Sequence, residues 1–313
     1  MNSIYTVIVT YNSMQWIDDC INSVINESTV IIIDNNSSDA TVQHIKSHYP
    51  DVILLPQQEN LGFGAGNNLG ISLALNKGAE HILLLNQDAK MGVSALAKSV
   101  TFQKKNKTFG MVSPIHCDWT GLYLEKGFDR YVSYENNPDF YADHVLSHHI
   151  KEVYPVKFIA AACWVLSRKM LLEVGGFDPL FFHIGEDSNY CQRVLFHKFK
   201  IGVLPGITVC HDTRGRTYRN HELFTDKYYK YQDYHSKIKL ANVNLPNSEL
   251  MVKGSYKVNQ LRKQILLALI TLNLTTFKGY FRELKQYKSI IKASIDSATL
   301  NRKRDSHYLK LDN

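Results

Sequence analysis

The first hundred residues alternate between short apolar runs and segments with helical patterning. Four runs are rich in β-branched or aliphatic residues: "YTVIVTYN" (5–12), "TVIIIDNN" (29–36), "VILLPQ" (52–57) and "HILLLNQD" (81–88). The segments between them mix apolar and polar positions and are long enough for helices. This alternation predicts an α/β fold with a mostly parallel central sheet flanked by helices on both faces, a Rossmann-like arrangement.

The pattern is more mixed in the remainder of the chain. Residues 158–178 predict a strand followed by a helix that ends at Gly175. Residues 185–199 predict a helix with an acidic pair in its first turn, where the helix dipole favours carboxylates. Residues 200–212 predict two strands around a Pro-Gly turn. From about residue 216 onward the pattern is helical and basic.

Polar residues follow three of the four early strands at the point where each strand ends. They are Asn12, then Asp34 to Asn36, then Asn86 to Asp88. Ligands of open α/β sheets bind at the carboxyl ends of the strands, so we expect these side chains to converge on one rim of the sheet. Asn and Asp also cap strands in ordinary turns, but that explanation has to apply three times to cover the whole pattern.

The composition is that of a globular protein. Hydrophobic residues make up 44% of the 313 residues and charged residues 21%, which argues against long disordered segments. No apolar run reaches the roughly 18 residues of a membrane-spanning helix, and we expect no secretory signal. The five cysteines are odd in number and lack CxxC pairs. They favour free thiols in a reducing, cytoplasmic compartment over disulfides or zinc.

The formal charge of +7 arises from 36 basic and 29 acidic side chains. Part of the excess lies late in the chain, in segments such as "NQLRKQ" and "KGYFRELKQYKSIIK". A basic surface suits nucleic acid, anionic lipid or an anionic small substrate. No nucleic-acid-binding motif accompanies the charge, so we expect no nucleic-acid partner.

A glycine cluster, "ENLGFGAGNNLG" (59–70), leads from a strand into a helix. Its spacing differs from the dinucleotide-binding GxGxxG pattern, and no GKS or GKT sequence marks a P-loop. Two interpretations stay open. The glycines either let a ligand approach the backbone closely or form a tight turn packed on the sheet.

A few other residues are candidates for chemistry. Asp88 at a strand end suits Mg²⁺ or Mn²⁺ bound to a diphosphate, and His211 in "VCHD" is a candidate second ligand, although a lone histidine is more often structural. Glu186 and Asp187 either cap a helix or supply a general base. His183 is a spare candidate that follows two phenylalanines.

Six motifs occur in the order found in family 2 glycosyltransferases: "VIVTYN", "IIIDNNSSDAT", "ENLGFGAGNN", "LLLNQDA", "VGGFDPLFFHIGEDSNYCQR" and "CHD". The chain therefore resembles this family, which has the GT-A fold, and especially its bacterial rhamnosyltransferase-like members. The resemblance covers residues 4 to about 215. It implies a GT-A catalytic domain at 1–215 and leaves 216–313 as a basic, mainly helical C-terminal extension.

The resemblance implies a role for each matching position. The nucleoside pocket would be lined by Thr10, Tyr11, Asn12, Asp34 and Asn36. Within it, Asp34 would read the base. The ribose and diphosphate would lie along Asn60, Gly64 and Asn67. This chain's form of the DxD motif would be Asn86, Gln87 and Asp88. A Mn²⁺ or Mg²⁺ cofactor would be bound by Asp88 and His211. The catalytic base would be Asp187, with Glu186 beside it.

Asn86 departs from the family pattern, which usually has Asp at this position. The amide removes one negative charge near the metal and so puts tight binding of a divalent ion in doubt. Asn86 would instead form a hydrogen bond to the nucleotide or to a metal-bound water. A catalytically weak or inactive nucleotide-sugar-binding homologue is therefore the alternative.

The resemblance implies transfer of a hexosyl or deoxyhexosyl group from a UDP- or dTDP-sugar to a hydroxyl of a growing glycan, free or lipid-linked, of the bacterial cell envelope. A single displacement would invert the anomeric configuration. The basic segment 256–304 either packs on the catalytic domain or contacts the anionic inner face of the cell membrane, where lipid-linked acceptors would lie.

Overall fold

The computed structural model describes residues 3–182, 184–214 and 222–312. The strands in these residues are β1 (Ile4–Thr10), β2 (Thr29–Asp34), β3 (Ile53–Pro56), β4 (His81–Leu85), β5 (Ala89–Met91), β6 (Phe109–Cys117), β7 (Tyr154–Val156), β8 (Cys163–Ser167) and β9 (Lys200–His211). The helices are α1 (Ile17–Asn22), α2 (Thr41–His48), α3 (Phe63–Asn76), α4 (Ala95–Lys105), α5 (Asp129–Val132), α6 (Pro138–Val145), α7 (Arg168–Val174), α8 (Glu186–Phe196), α9 (Asp226–Leu240), α10 (Asn247–Ile270) and α11 (Leu274–Asn301). The predicted early alternation of strand and helix is confirmed.

The strands of the described residues form one mixed sheet. Its order is β3-β2-β1-β4-β8-β6-β9-β5, and β7 pairs with β9. The first four strands are parallel neighbours. β8 runs antiparallel to β4 and β6, and β9 is parallel to β6, so β9 points the same way as β4. The carboxyl ends of β1, β2, β4 and β9 therefore lie on one edge of the sheet.

Both faces of the sheet are buried, because alternate residues of the inner strands enter two separate cores. On β4, Ile82 and Leu84 join one core, whereas Leu83 and Leu85 join the other. β1 and β2 divide in the same way. Burial on both faces explains why these strands are continuous apolar runs instead of alternating patterns.

Two glycines allow α3 to pack closely. A Cβ added to Gly70 would collide with the side chain of Val7 on β1. Gly62, just before α3, has a φ of +83°, and a Cβ there would lie 2.5 Å from the carbonyl oxygen of Phe182. At these two positions the structure supports the packed-turn interpretation of the glycine cluster.

Residues 200–212 differ from the prediction. A single strand, β9, runs through Pro205 and Gly206, so the prediction of two strands around a Pro-Gly turn is wrong. The pairing of β9 with β6 shifts register between Leu204 and Thr208, which leaves a bulge. A bulge accommodates proline, which has no N–H to donate, without ending the strand.

The helices after residue 222 connect back to the sheet domain at their far end. α10 and α11 form an antiparallel hairpin joined by residues 271–273. Near the end of α11, Ser297 and Asn301 both donate hydrogen bonds to Asp178 Oδ2. The chain then returns to α3, where Lys310 N donates to Ser72 Oγ at 3.0 Å. None of the helices in the described residues has the length and apolar content needed to cross a bilayer.

Some predictions concern residues that the structure does not describe. The spare candidate His183 lies outside the described residues, as do 215–221. The predicted division of the chain at residue 215 falls in this second gap and stays a prediction.

The predicted free thiols are confirmed. All five cysteines are free, and four of them are buried. Burial raises the pKa of the Cys117 thiol. A protonated, buried thiol packs as a small apolar side chain, so packing accounts for these residues.

Candidate active site

Asp34 joins the carboxyl ends of β1 and β2. Its side chain is 1% exposed, and Thr10 lies opposite it in the parallel register. Thr10 Oγ1 donates to Asp34 Oδ1 at 2.9 Å. Ser37 donates through its backbone N–H to Oδ2 at 2.9 Å and through its hydroxyl to Oδ1 at 2.5 Å. Thr10 and Asp34, both predicted to line the nucleoside pocket, are therefore in contact. Asp34 Oδ1 accepts two hydrogen bonds from the protein, and Oδ2 accepts one.

Tyr11 and Asn12 extend this contact toward neighbouring strands. Tyr11 N donates to Gln87 Oε1 at 2.7 Å, and Gln87 Nε2 donates to the Tyr11 carbonyl oxygen at 3.2 Å. Asn12 has a φ of +50°, and its Oδ1 accepts from Ser38 N at 2.8 Å. These bonds join the ends of β1, β2 and β4 into one polar rim, on which Tyr11 is 48% exposed.

The loop after β2 contains two adjacent asparagines in different environments. Asn36 is exposed and has a φ of +64°. Asn35 is 3% exposed, and its Nδ2 donates to the Gly62 carbonyl oxygen at 3.2 Å. Asn35 thus ties the glycine segment to β2 and leaves Asn36 at the rim. Residue type alone does not distinguish the two positions.

The predicted ribose and diphosphate residues lie at the start of α3. Asn60 is partly exposed, and its Oδ1 accepts from Gly62 N at 2.9 Å. A Cβ on Gly64 would lie 3.0 Å from Phe177 Cβ, so Gly64 packs against protein. Asn67 is 2% exposed and forms a 3.0 Å hydrogen bond within its own helix. Gly64 and Asn67 are therefore enclosed, and Asn60 is the accessible member of the three.

Asp88 and His211 meet where β5 pairs with β9. Ala89 lies opposite His211 in the antiparallel register, and the Asp88 carbonyl oxygen accepts from Asp212 N at 2.8 Å. This pairing places Asp88 Oδ1 3.3 Å from His211 Nε2. The two predicted metal ligands are therefore adjacent.

Asn86 precedes the same turn. Its backbone N–H donates to the Ala162 carbonyl oxygen at 2.9 Å. Its side-chain Oδ1 is buried and has no hydrogen-bond partner among the described residues. Leaving a buried polar atom without a partner costs about 1–3 kcal/mol, so this oxygen favours an incoming hydrogen-bond donor.

Glu125 joins two buried histidines. Its Oε1 is 3.2 Å from His211 Nδ1, and its Oε2 is 3.0 Å from His116 Nδ1. His116 Nε2 is in turn 2.9 Å from Ser113 Oγ on β6. A chain of polar groups therefore runs from β6 through His211 to Asp88. Glu125 lies in a loop and has no sequence signal that marks it as a site residue.

The charged side chains of this polar network stabilise one another. Burial opposes ionisation of Glu125, but the two histidines outweigh it and lower the pKa of Glu125 to about 2. Burial likewise opposes protonation of His211, but Asp88 and Glu125 raise its pKa to about 9. At neutral pH His211 is thus a cation between two carboxylates. Burial lowers the pKa of His116, although its hydrogen bond to Glu125 opposes this effect.

Asp212 fixes the residues that follow His211. Trp16 Nε1 donates to Asp212 Oδ2 at 3.0 Å, and Arg214 pairs with the same oxygen at 2.7 Å. The hydrogen bond from Arg214 holds the pKa of Asp212 far below its usual range. The end of β9 is therefore fastened to the segment that leads into α1.

Glu186 and Asp187 begin α8, as predicted. Glu186 is 8% exposed, and burial together with the neighbouring Asp187 charge raises its pKa to about 7. Asp187 is half-buried, its Oδ1 accepts from Ser188 N at 2.6 Å, and burial raises its pKa as well. A raised pKa makes a carboxylate a stronger base, which favours a role in general-base catalysis.

The donor set at Asp88 fits a divalent ion held by few protein ligands. Within residues 3–182, 184–214 and 222–312, no three or more His, Cys, Asp or Glu side chains are grouped to hold a metal. Asp88 and His211 offer one oxygen and one nitrogen, a set that suits Mn²⁺. Their separation of 3.3 Å is close to the roughly 3 Å expected between adjacent ligands with bonds of about 2.1 Å. Diphosphate and water oxygens would supply the other ligands.

The family model for glycosyl transferase family 2 matches residues 5–174, more than half of the chain. The chain belongs to glycosyl transferase family 2. The matched span includes the ends of β1, β2 and β4 and stops before Asp187 and His211. The resemblance predicted from the six motifs is confirmed, and the protein is a glycosyltransferase.

Relatives of this glycosyltransferase cover most of both chains. The low-salt glycan biosynthesis hexosyltransferase Agl10 of Haloferax volcanii is 21% identical over 244 residues, which cover 77% of this chain and 76% of Agl10. The dTDP-rhamnosyl transferase RfbF of Shigella flexneri is 22% identical over 214 residues, which cover 67% of this chain and 70% of RfbF. Similarity to RfbF agrees with the rhamnosyltransferase-like motifs.

Solved structures share the fold of this glycosyltransferase. Staphylococcus aureus TarS 1–349 in complex with UDP-GlcNAc matches with a TM-score of 0.54 at 14% identity, over 94% of this chain and 83% of that chain. GalNAc-T7 with UDP, GalNAc and Mn²⁺ matches with a TM-score of 0.57 at 15% identity, over 94% of this chain and 57% of that chain. The predicted GT-A fold is confirmed.

The raised pKa of Glu186 predicts a pH-dependent loss of stability. Its folded-state pKa of about 7 lies above the ordinary value of 4.5, so between these two values the unfolded chain loses the proton that the folded protein retains, and stability falls across that window and levels off above pH 7. We expect the free energy of unfolding of wild type, relative to Glu186→Gln, to fall between pH 5 and pH 9 by up to about 3 kcal/mol. Urea denaturation at both pH values measures this change. Exposed Glu152→Gln should show no such trend, and a pH-independent difference for Glu186→Gln would contradict the prediction.

Proposed function

We propose that this glycosyltransferase transfers a hexosyl or deoxyhexosyl group, with inversion, from a UDP- or dTDP-sugar to a hydroxyl of a growing bacterial surface glycan. The observation that carries the proposal is the contact between Asp88 and His211 on the same sheet edge as the polar rim of β1 and β2. That arrangement would put a metal-bound diphosphate beside a nucleoside pocket, at the strand ends where α/β sheets bind ligands.

The nucleoside would lie on the polar rim. Asp34 Oδ2 has a lone pair left to accept the ring N–H of uracil or thymine. Tyr11 offers an exposed aromatic face, and base stacking on such a face is worth about 1–3 kcal/mol. Thr10, Asn12 and Asn36 would complete the pocket. The dTDP in the name of RfbF and the UDP-GlcNAc bound to TarS support a pyrimidine donor.

The diphosphate would be held at Asp88 and His211 with Mn²⁺ or Mg²⁺, supported by Asn60, Asn86 and Gln87. When bound, the ion offsets negative charge on the leaving diphosphate. Glu125 would hold the Nδ1–H of His211 and so direct Nε2 toward the ion, as carboxylates do behind many metal-bound histidines. The Mn²⁺ and UDP in the GalNAc-T7 structure support this cofactor class.

Asp187 is the proposed general base. It would remove the proton of the acceptor hydroxyl as that oxygen attacks the anomeric carbon and the bond to the diphosphate oxygen breaks. The buried neighbour Glu186 raises the proton affinity of the pair, because two adjacent carboxylates resist full ionisation. A single displacement of this kind inverts the anomeric configuration.

The acceptor would be a free or lipid-linked glycan. The glycan biosynthesis in the name of Agl10 supports a glycan as the acceptor. We therefore propose a cytoplasmic protein, and a lipid-linked acceptor would bring it to the inner face of the cell membrane.

A second candidate is a nucleotide-sugar-binding homologue with little or no transfer activity. Asn86 favours it, because one carboxylate at the turn attracts a divalent ion less strongly than two. Slow, metal-dependent hydrolysis of the donor without acceptor would identify an enzyme. Tight donor binding without hydrolysis under any metal condition would identify a binder.

Mn²⁺ should strengthen nucleotide binding through Asp88. In calorimetric titrations with UDP and dTDP, we expect Mn²⁺ to increase the affinity for at least one nucleotide by about tenfold or more, which is 1.4 kcal/mol. Asp88→Ala should lose that increase, whereas exposed Asp51→Ala should retain it. Tight nucleotide binding that does not depend on Mn²⁺ would instead indicate a metal-free pocket. If neither nucleotide binds, residues 86–88 have only the structural role of a turn.

Glu125→Gln should weaken Mn²⁺ binding by about 10- to 100-fold, because His211 loses the carboxylate that orients it. Electron paramagnetic resonance of free Mn²⁺ measures this affinity without relying on activity. Glu135→Gln, an exposed carboxylate change of the same kind, is the control. Unchanged Mn²⁺ affinity in a folded Glu125→Gln protein would show that Glu125 does not support metal binding.

Asp187→Asn should lower turnover by about 100-fold or more while donor affinity stays near that of wild type. The amide keeps the shape of the side chain but cannot accept the acceptor proton. Initial rates with saturating donor, together with calorimetric donor binding, separate the two effects. Asp129→Asn, in the first turn of α5, is the matched control. Turnover of Asp187→Asn equal to that of wild type would reject the assignment.

A further inference from the structure

The tip of the α10–α11 hairpin, residues 266–274, exposes a cluster of aliphatic side chains. Its side chains are between 48% and 85% exposed at Leu266, Leu267, Leu269, Ile270, Leu272 and Leu274. α10 faces α11 with a separate stripe that includes Val258, Leu261 and Ala268, all buried. Packing between the two helices therefore leaves the tip uncovered. Clustered apolar exposure of this kind marks an interaction surface.

A basic collar surrounds this tip. No acidic residue occurs between Glu249 and Glu283, whereas the basic residues in that interval are Lys253, Lys257, Arg262, Lys263, Lys278 and Arg282. Lys257 pairs with Glu283 at 2.9 Å. Arg282 pairs with Asp226 at 2.8 Å. The collar is defined as the three exposed cations nearest the tip: Arg262, Lys263 and Lys278. At 1.5 Å per helical residue, they lie roughly 4.5–6 Å along the helix axes from the nearest tip residue.

We propose that the hairpin tip inserts into the interfacial layer of an anionic membrane. The aliphatic side chains of the tip would enter the boundary between headgroups and acyl chains, and the collar would contact lipid phosphates. Apolar insertion and electrostatic attraction to anionic lipid are the two contributions that hold peripheral helices on bilayers. The nine tip residues are far fewer than the roughly 20 of a spanning helix, so the tip lies within one leaflet.

Charge decides between a membrane and a second copy of the chain. Two tips docked on each other would bring two cationic collars together without an acidic residue between Glu249 and Glu283 to balance them. The phosphates of an anionic lipid surface would neutralise the cationic collar, and the acyl region would bury the apolar tip. A fluid bilayer also needs no complementary shape. The inference rests on the proposed function only in that a lipid-linked acceptor would make membrane contact useful. Vesicle binding itself requires neither donor nor acceptor.

Vesicle flotation of the full chain tests the inference. The vesicles contain either phosphatidylcholine alone or phosphatidylcholine with about 30% phosphatidylglycerol. We expect binding to the phosphatidylglycerol vesicles, weakened at least about tenfold in the triple variant Leu267→Gln, Ile270→Gln, Leu272→Gln. The matched control is Met251→Gln, Val252→Gln, Tyr256→Gln, which changes exposed apolar residues in the first half of α10 and should bind like wild type.

The charge contribution has its own variant. Lys263→Gln combined with Lys278→Gln should weaken binding to phosphatidylglycerol vesicles, and raised salt should have the same effect on wild type. Asp187→Asn should bind vesicles like wild type, so a failed base assignment and a failed membrane assignment give different results. Wild type that floats with neither vesicle, or a tip variant that floats like wild type, would overturn the inference. So would a concentration-dependent dimer in analytical ultracentrifugation that the tip variant abolishes.

Discussion

The parallel pairing of β1 with both β2 and β4 is the constraint on which the candidate site depends. In this register Thr10 lies opposite Asp34, and Val7 lies opposite Leu84. The three strands therefore end at nearly the same level. Because both faces of the sheet are buried, their polar residues gather at the carboxyl edge, where solvent and ligands have access. β9 runs in the same direction and adds His211 to this edge from late in the chain.

The sequence predicts those elements whose signal lies within a few neighbouring residues. The early strands are continuous apolar runs, and α8 begins at the acidic pair, so both were visible in the sequence. The bulge in β9 was not, because Pro205 and Gly206 give the same signal in a turn as in a bulge. Glu125 was not visible either, since its partners His116 and His211 come together only through the pairing of β6 and β9. Long-range pairing thus accounts for what the sequence could not reveal.

The balance of charge around His211 gives a physical reason for Asn86. Without a metal, one protonated histidine faces two carboxylates, Asp88 and Glu125. A carboxylate at position 86 would place a negative charge where Oδ1 is buried without a partner, and unpaired buried charge is costly. The amide avoids that cost. Its Oδ1 has no partner among the described residues, so in the proposed site it would accept a hydrogen bond from the bound ligand.

The hairpin links the membrane proposal to the chemistry proposed for α8. The far end of α11 is bonded to Asp178, in the loop that leads to Glu186, and Gly185 in the same loop packs against Ile238 of α9. α11 has 28 residues and so spans about 42 Å. An upright hairpin would hold the acidic pair roughly that far from the lipid. A lipid-linked acceptor would then reach Asp187 through a glycan several sugars long, or the hairpin would have to tilt. A growing glycan meets the first condition, so the membrane tip and the proposed acceptor class are physically compatible.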